Sequence, residues 1–130
     1  MHPTLWPSLG YHDAPAALRF LVDAFGFEEI AVYRGSTDDW IDQAVLRWGD
    51  GGKVTLHSAE PDTVMFKALP GQAPVGIYFY TADPDALYER ALTAGATGIQ
   101  GPSDNPLGAR NATVADPEGG LWSFGTYDGS

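Results

Sequence analysis

The sequence predicts an α+β fold built from two βαβββ repeats, forming a curved, roughly eight-stranded sheet around a cleft. Three observations predict it. The chain matches itself. "YHDAPAALRFLVDAFGF" lies along "YTADPDALYERALTAGAT", with Tyr11 on Tyr80, Ala17 on Ala86, Leu18 on Leu87 and Gly26 on Gly95, an offset of 69. "WGDGGKVTLHS" lies along "DPEGGLWSFGT" at an offset of 68, placing Gly51 and Gly52 on Gly119 and Gly120, and Thr55 on Ser123. In each copy an alternating segment precedes a capped amphipathic helix, and glycine-punctuated strands follow.

Each element has a local reason. In the first copy, residues 5–11 alternate as a strand does. Asp13 caps a helix with Pro15 in its first turn. Ala17, Leu18, Leu21, Val22 and Phe25 then recur at spacings of three and four until Gly26 stops the helix. In the second copy Asp83 is the cap, Pro84 holds the first helical position, Leu87, Ala91 and Leu92 form the stripe, and Gly95 ends it. Three strands follow each helix: 28–34, 40–48 and 52–58 in the first copy, and 97–100, 108–115 and 119–127 in the second. The turns "GDGG" and "DPEGG" join the last two strands of each copy. The expected modules are 4–58 and 74–128, with the Pro-rich, polar stretch 59–73 as linker, all in one domain. One βαβββ unit covers one face of its sheet with a helix and leaves the other open. Two units together therefore enclose a small-molecule cleft.

The bulk numbers narrow the function. The 130 residues carry a formal net charge of −10, against the positive footprint that nucleic acid needs, and anionic membrane surfaces are disfavoured for the same reason. The same acidity would attract a cationic ligand. The absence of cysteine removes disulfides and thiolate chemistry. No signal peptide and no apolar run of membrane-spanning length is evident, so the expected location is cytoplasmic.

The stretches "YHDAPAALRFLVDAFGFEE", "DPDALYERALTAGA" and "DPEGGLWSFGTY" resemble the vicinal oxygen chelate superfamily of glyoxalases, bleomycin-resistance proteins, fosfomycin-resistance enzymes and extradiol dioxygenases. The resemblance covers almost the whole chain. It implies the paired βαβββ fold, a homodimer as the common assembly, and four metal-ligand positions, usually His, Glu or Gln. Carried onto this chain, those positions fall on Trp6, on Val75 or Gly76 depending on strand register, on Thr55 and on Ser123. An indole, an apolar residue and two neutral hydroxyls are poor donors for a divalent ion. No metal and no cofactor is therefore expected.

Strand alternation extends the candidate ligand-binding set to Trp6, Ser8, Gln43, Thr55, His57, Ser123 and Tyr127, with Trp6 as an aromatic platform and His57 as a polar contact. Asp42 or Gln43 supplies a polar handle, and Trp122 belongs to the core. The expected function is a non-catalytic binding protein for a small apolar or aromatic molecule, antibiotic-like and in one version cationic. The competing expectation is an enzyme: a metal-dependent lyase, isomerase or dioxygenase of the superfamily, or a metal-free enzyme with His57 as base.

Overall fold

A computed structural model describes residues 3–60 and 75–130. The elements are β1 (Ser8–Tyr11), α1 (Ala14–Phe20), a wide π-helical turn (Leu21–Phe25), β2 (Glu28–Arg34), β3 (Ile41–Trp48), β4 (Gly52–Ser58), β5 (Gly76–Tyr80), α2 (Pro84–Thr93), β6 (Thr97–Asp104), β7 (Arg110–Ala115) and β8 (Leu121–Gly125). The eight expected strands are present, in two four-stranded mixed sheets ordered β1-β4-β3-β2 and β5-β8-β7-β6. In each, the first and last strands of a βαβββ unit run parallel and the remaining pairs antiparallel. The linker falls mostly on residues 61–74, outside the described residues. The chain divides into one compact unit of Met1–Val22 with Gly26–Ala73, and another of Asp23–Phe25 with Pro74–Ser130.

The helix signals act as their chemistry dictates. Asp13 Oδ1 accepts from the Ala16 N–H at 3.1 Å, and Asp83 Oδ1 accepts from the Ala86 N–H at 3.1 Å. Each carboxylate satisfies an amide that no helical carbonyl can reach. Gly26 and Gly95 close the helices at φ 83° and 111°, where a side chain would be strained. The first helix differs from the sequence expectation in its last turn. The Gly26 N–H reaches back to the carbonyls of both Leu21 and Val22, so the turn is one residue wider than an α turn.

That widening has a cause in the repeat. The two caps are 70 residues apart (83 − 13) and the two terminating glycines 69 (95 − 26), so the first copy holds one more residue between cap and stop. The π turn absorbs it. Strand register agrees: Gly10 pairs with His57 and Tyr80 with Gly125. Since Gly125 is the repeat partner of His57, Tyr80 is the counterpart of Gly10 and not of Tyr11. The uniform offset of 69 across the first strand and helix is thereby corrected to 70 at the strand and cap.

Each sheet buries the face beneath its helix. In the first unit Tyr11, Ala17, Leu18, Ala44, Leu46, Val54 and Leu56 form that layer. In the second, the Phe25 ring lies 5.2 Å from Phe79, 5.3 Å from Trp122 and 5.9 Å from Phe124, an aromatic cluster in edge-on and tilted geometries. Trp122 is buried, as a core residue should be. Leu92, placed on the apolar stripe of α2 from its spacing, is instead more than a third exposed, and Leu87 and Ala91 carry the contact.

Candidate functional site

The register fixes what each sheet presents on the face away from its helix. In the first unit Ser8 stands beside Thr55, Thr55 beside Val45 and Val45 beside Ala31. In the second, the equivalent row is Tyr78, Ser123, Thr113 and Gln100. Thr55 is buried, while Ser123 is half-buried with its Oγ 2.7 Å from Thr113 Oγ1.

The remaining candidates are distributed around these rows. Trp6 precedes β1, two residues before Ser8, and its ring carries the Lys53 ammonium 3.7 Å from the centroid. One face of the expected aromatic platform is thus engaged by the chain's own cation. Thr55's parallel neighbour is Ser8 rather than Trp6. His57 lies beside Gly10, half-buried, with Nδ1 3.1 Å from the Ser58 carbonyl. A carbonyl only accepts, so in the neutral ring that contact selects the Nδ1–H tautomer, whose Nε2 is an acceptor. Gln43 pairs with Tyr33 and is exposed, as is Asp42. Gln43 shares the open face of β3 with Val45, two residues along in unbroken register, while Asp42 falls at the register shift between Tyr33 and Arg34. Tyr127 lies beyond β8, 56% exposed, and its carbonyl accepts from the Tyr78 hydroxyl at 2.7 Å.

Around that last bond lies a hollow of about 400 Å³ lined by Tyr78, Asn105, Leu107, Ala109, Asn111, Tyr127 and Ser130. This volume falls within the usual range for small-molecule sites. The loop that walls it is held by Asn105, whose Oδ1 accepts from the Leu107 and Ala109 N–H groups at 2.9 and 3.1 Å. Two phenol rings and an exposed leucine provide apolar surface. The Asn111 amide has no hydrogen-bond partner among the described residues and is a ready polar contact. Partial burial raises the Tyr78 phenol above its ordinary pKa. The bond to Tyr127 opposes the rise and the charge of Asp128 adds to it. Tyr78 therefore stays a neutral donor at physiological pH.

Of the predicted residues, Tyr127 alone lines this hollow. Tyr78, Asn105, Leu107 and Asn111 escaped sequence reasoning. Tyr78 was missed because the register of its strand was open between Val75 and Gly76; β5 begins at Gly76, whose neighbour is Leu121. The alternation of Asn111 with Thr113 and Ser123 was a usable signal. Asn105 and Leu107 sit in a loop that no periodicity describes.

A model of the glyoxalase/bleomycin resistance protein/dioxygenase superfamily matches residues 5–124. The chain belongs to that superfamily. Among curated relatives, an uncharacterized protein of Mycobacterium bovis is 36% identical over 129 residues, covering 96% of this chain and 84% of the relative. Among solved structures, TioX from a Micromonospora species superimposes with a TM-score of 0.76 at 31% identity, covering 97% of this chain and 98% of TioX. A glyoxalase/bleomycin resistance protein from a Streptomyces species follows with 0.65 at 25%, covering 92% and 96%. The fosfomycin resistance protein FosX of Mesorhizobium loti, at 18% identity and a TM-score of 0.67 over 98% and 93%, shares the fold.

Superfamily enzymes hold a divalent ion, and the donor set here does not fit one. The rows that face away from the helices offer Ser8, Thr55, Val45 and Ala31 in one sheet and Tyr78, Ser123, Thr113 and Gln100 in the other. Neutral hydroxyls do not compensate an ion for its lost hydration as carboxylates or imidazoles do. Among the described residues no group of three or more His, Asp or Glu side chains is placed to hold a metal ion. No helix of the described residues is long and apolar enough to cross a membrane.

Proposed function

We propose that this superfamily member is a binding protein that holds a small, flat aromatic molecule, cationic in the favoured case. The observation that carries the reading is the tyrosine-lined hollow of the second unit, whose Asn111 amide lacks a partner among the described residues. A planar ligand would stack on Tyr78 and Tyr127 and take one hydrogen bond from Asn111. Each aromatic contact contributes about 0.5–1.5 kcal/mol beyond area burial. The net charge of −10 supports a cation over an anion at this site. A cytoplasmic location is part of the reading, as is a homodimer. The exposed edge strands β2 and β6 support the dimer, and light scattering would test it.

The test is a titration with a panel of planar aromatic cations, followed by intrinsic fluorescence and calorimetry. Saturable binding that weakens about tenfold in Tyr78→Ala is expected. Absence of saturable binding across the panel would overturn the reading. A second reading, metal-free catalysis, rests on the His57 imidazole, whose Nε2 is left as an acceptor. Activity lost in His57→Gln with ligand binding intact would favour it. Stoichiometric metal in the purified protein would overturn both.

A further inference from the structure

The first unit carries a second hollow of a different character. It measures about 240 Å³ and is lined by Ile30, Val45, Leu46, Arg47, Asp50 and Lys53, with Pro3 and Gly52 at its edges. At roughly 30 Å³ per liquid water, it holds about eight waters' worth of space, enough for one six-membered ring with a short substituent. Its floor is aliphatic.

Its charge is the unusual part. The chain has seven Lys and Arg against seventeen Asp and Glu. Two of those seven cations, Arg47 and Lys53, are direct cross-strand partners in β3 and β4. Like charges directly opposite one another destabilise a sheet. Glu28 engages Arg47 through a single oxygen, Oε2, at 2.7 Å from Nη2 and 3.3 Å from Nε. Lys53 meets no carboxylate among the described residues, and its ammonium rests on the Trp6 ring. A π face attracts the charge and accepts no strong hydrogen bond, so the three ammonium donors are not used up. Asp50, on the β3–β4 turn, is the opposing charge among the lining residues.

We propose that this hollow binds a small monocyclic carboxylate, its ring on Ile30 and Val45 and its anionic group on the Lys53 ammonium, with Arg47 adding positive charge. The site is separate from the tyrosine hollow and selects ligands of opposite sign, so the two readings fail independently.

The probe pair is benzoate and its uncharged analogue benzamide, titrated into the protein and followed by amide and indole N–H signals in heteronuclear NMR spectra. Saturable shifts centred on Ile30, Val45, Arg47, Lys53 and the Trp6 indole are expected with benzoate, with benzamide about tenfold weaker. Lys53→Met should lower benzoate affinity about tenfold while Lys53→Arg keeps it, and Asp50→Asn should raise it severalfold by removing the repelling charge. Equal binding of benzoate and benzamide would overturn the proposal. So would unchanged affinity in Lys53→Met, or shifts that do not saturate.

Discussion

The two copies of the βαβββ unit share a backbone plan and almost none of the chemistry laid on it. Their turns between the last two strands show the contrast. In the second copy, Asp116 is buried and accepts from the Glu118 N–H at 3.0 Å, the Gly120 N–H at 2.9 Å and the Trp122 indole N–H at 3.0 Å. One carboxylate ties the turn to the core. At the same place in the first copy stands Trp48, whose ring packs 5.3 Å from Phe27. Polar anchoring has been replaced by ring packing, yet both turns set the same register for the strand that follows. A second contrast lies near the far end of the last strand of each copy. Gly10 faces His57, while Tyr80 faces Gly125. Each pair holds one large and one small residue, but the large one has changed strands. Duplicated sheets thus conserve the space available and reassign who fills it.

Breaking the aromatic core of the second copy should have the largest effect. Trp122→Ala is expected to cost about 4 kcal/mol in urea unfolding, from the lost burial and the cavity left behind. Asp116→Ala should cost about 3 kcal/mol, because it strips the buried indole and two amides of their acceptor. Trp48→Phe in the first copy should cost far less by the same measurement. Gly125→Ala should cost about 2 kcal/mol, since a Cβ there would meet the Arg110 carbonyl at 2.5 Å. His57→Ala at the equivalent place leaves a void and no clash. Tyr78→Phe removes the bond to Tyr127 and should cost about 1 kcal/mol.

The smallest effect is one of pH. The Arg110 side-chain bond holds the exposed Asp85 carboxyl below its ordinary 3.8. A depressed folded-state pKa contributes stability above 3.8 that is lost as pH falls through the lower folded value. Comparing Arg110→Gln with the parent protein between pH 3 and 7 should show the two converging at the acid end, by a small amount for so exposed a pair.

Much of the fold was legible because its signals are local and repeat. Asp13 and Asp83 cap, Gly26 and Gly95 stop, and each does so through its own backbone chemistry. Strands β2 and β4 follow the bounds that alternation and turns imply. The π turn was invisible, since an apolar stripe at spacings of three and four reads alike through one widened turn. The candidate site was less legible. Trp6 stands out by type, but only the parallel register reveals Ser8 as the neighbour of Thr55 and Lys53 as the partner of the indole. Asn105 and Leu107 act through loop conformation, which no pattern of burial encodes.

The additional residue swallowed at Leu21–Phe25 has a broader meaning. Spread along an ordinary helix, a single insertion would turn every later side chain by about 100° and misalign all that follows. Confined to one bulge ahead of Gly26, it leaves the downstream chain in phase. The extra length is in this way spent inside one turn, which still delivers Phe25 to the aromatic cluster of Phe79, Trp122 and Phe124.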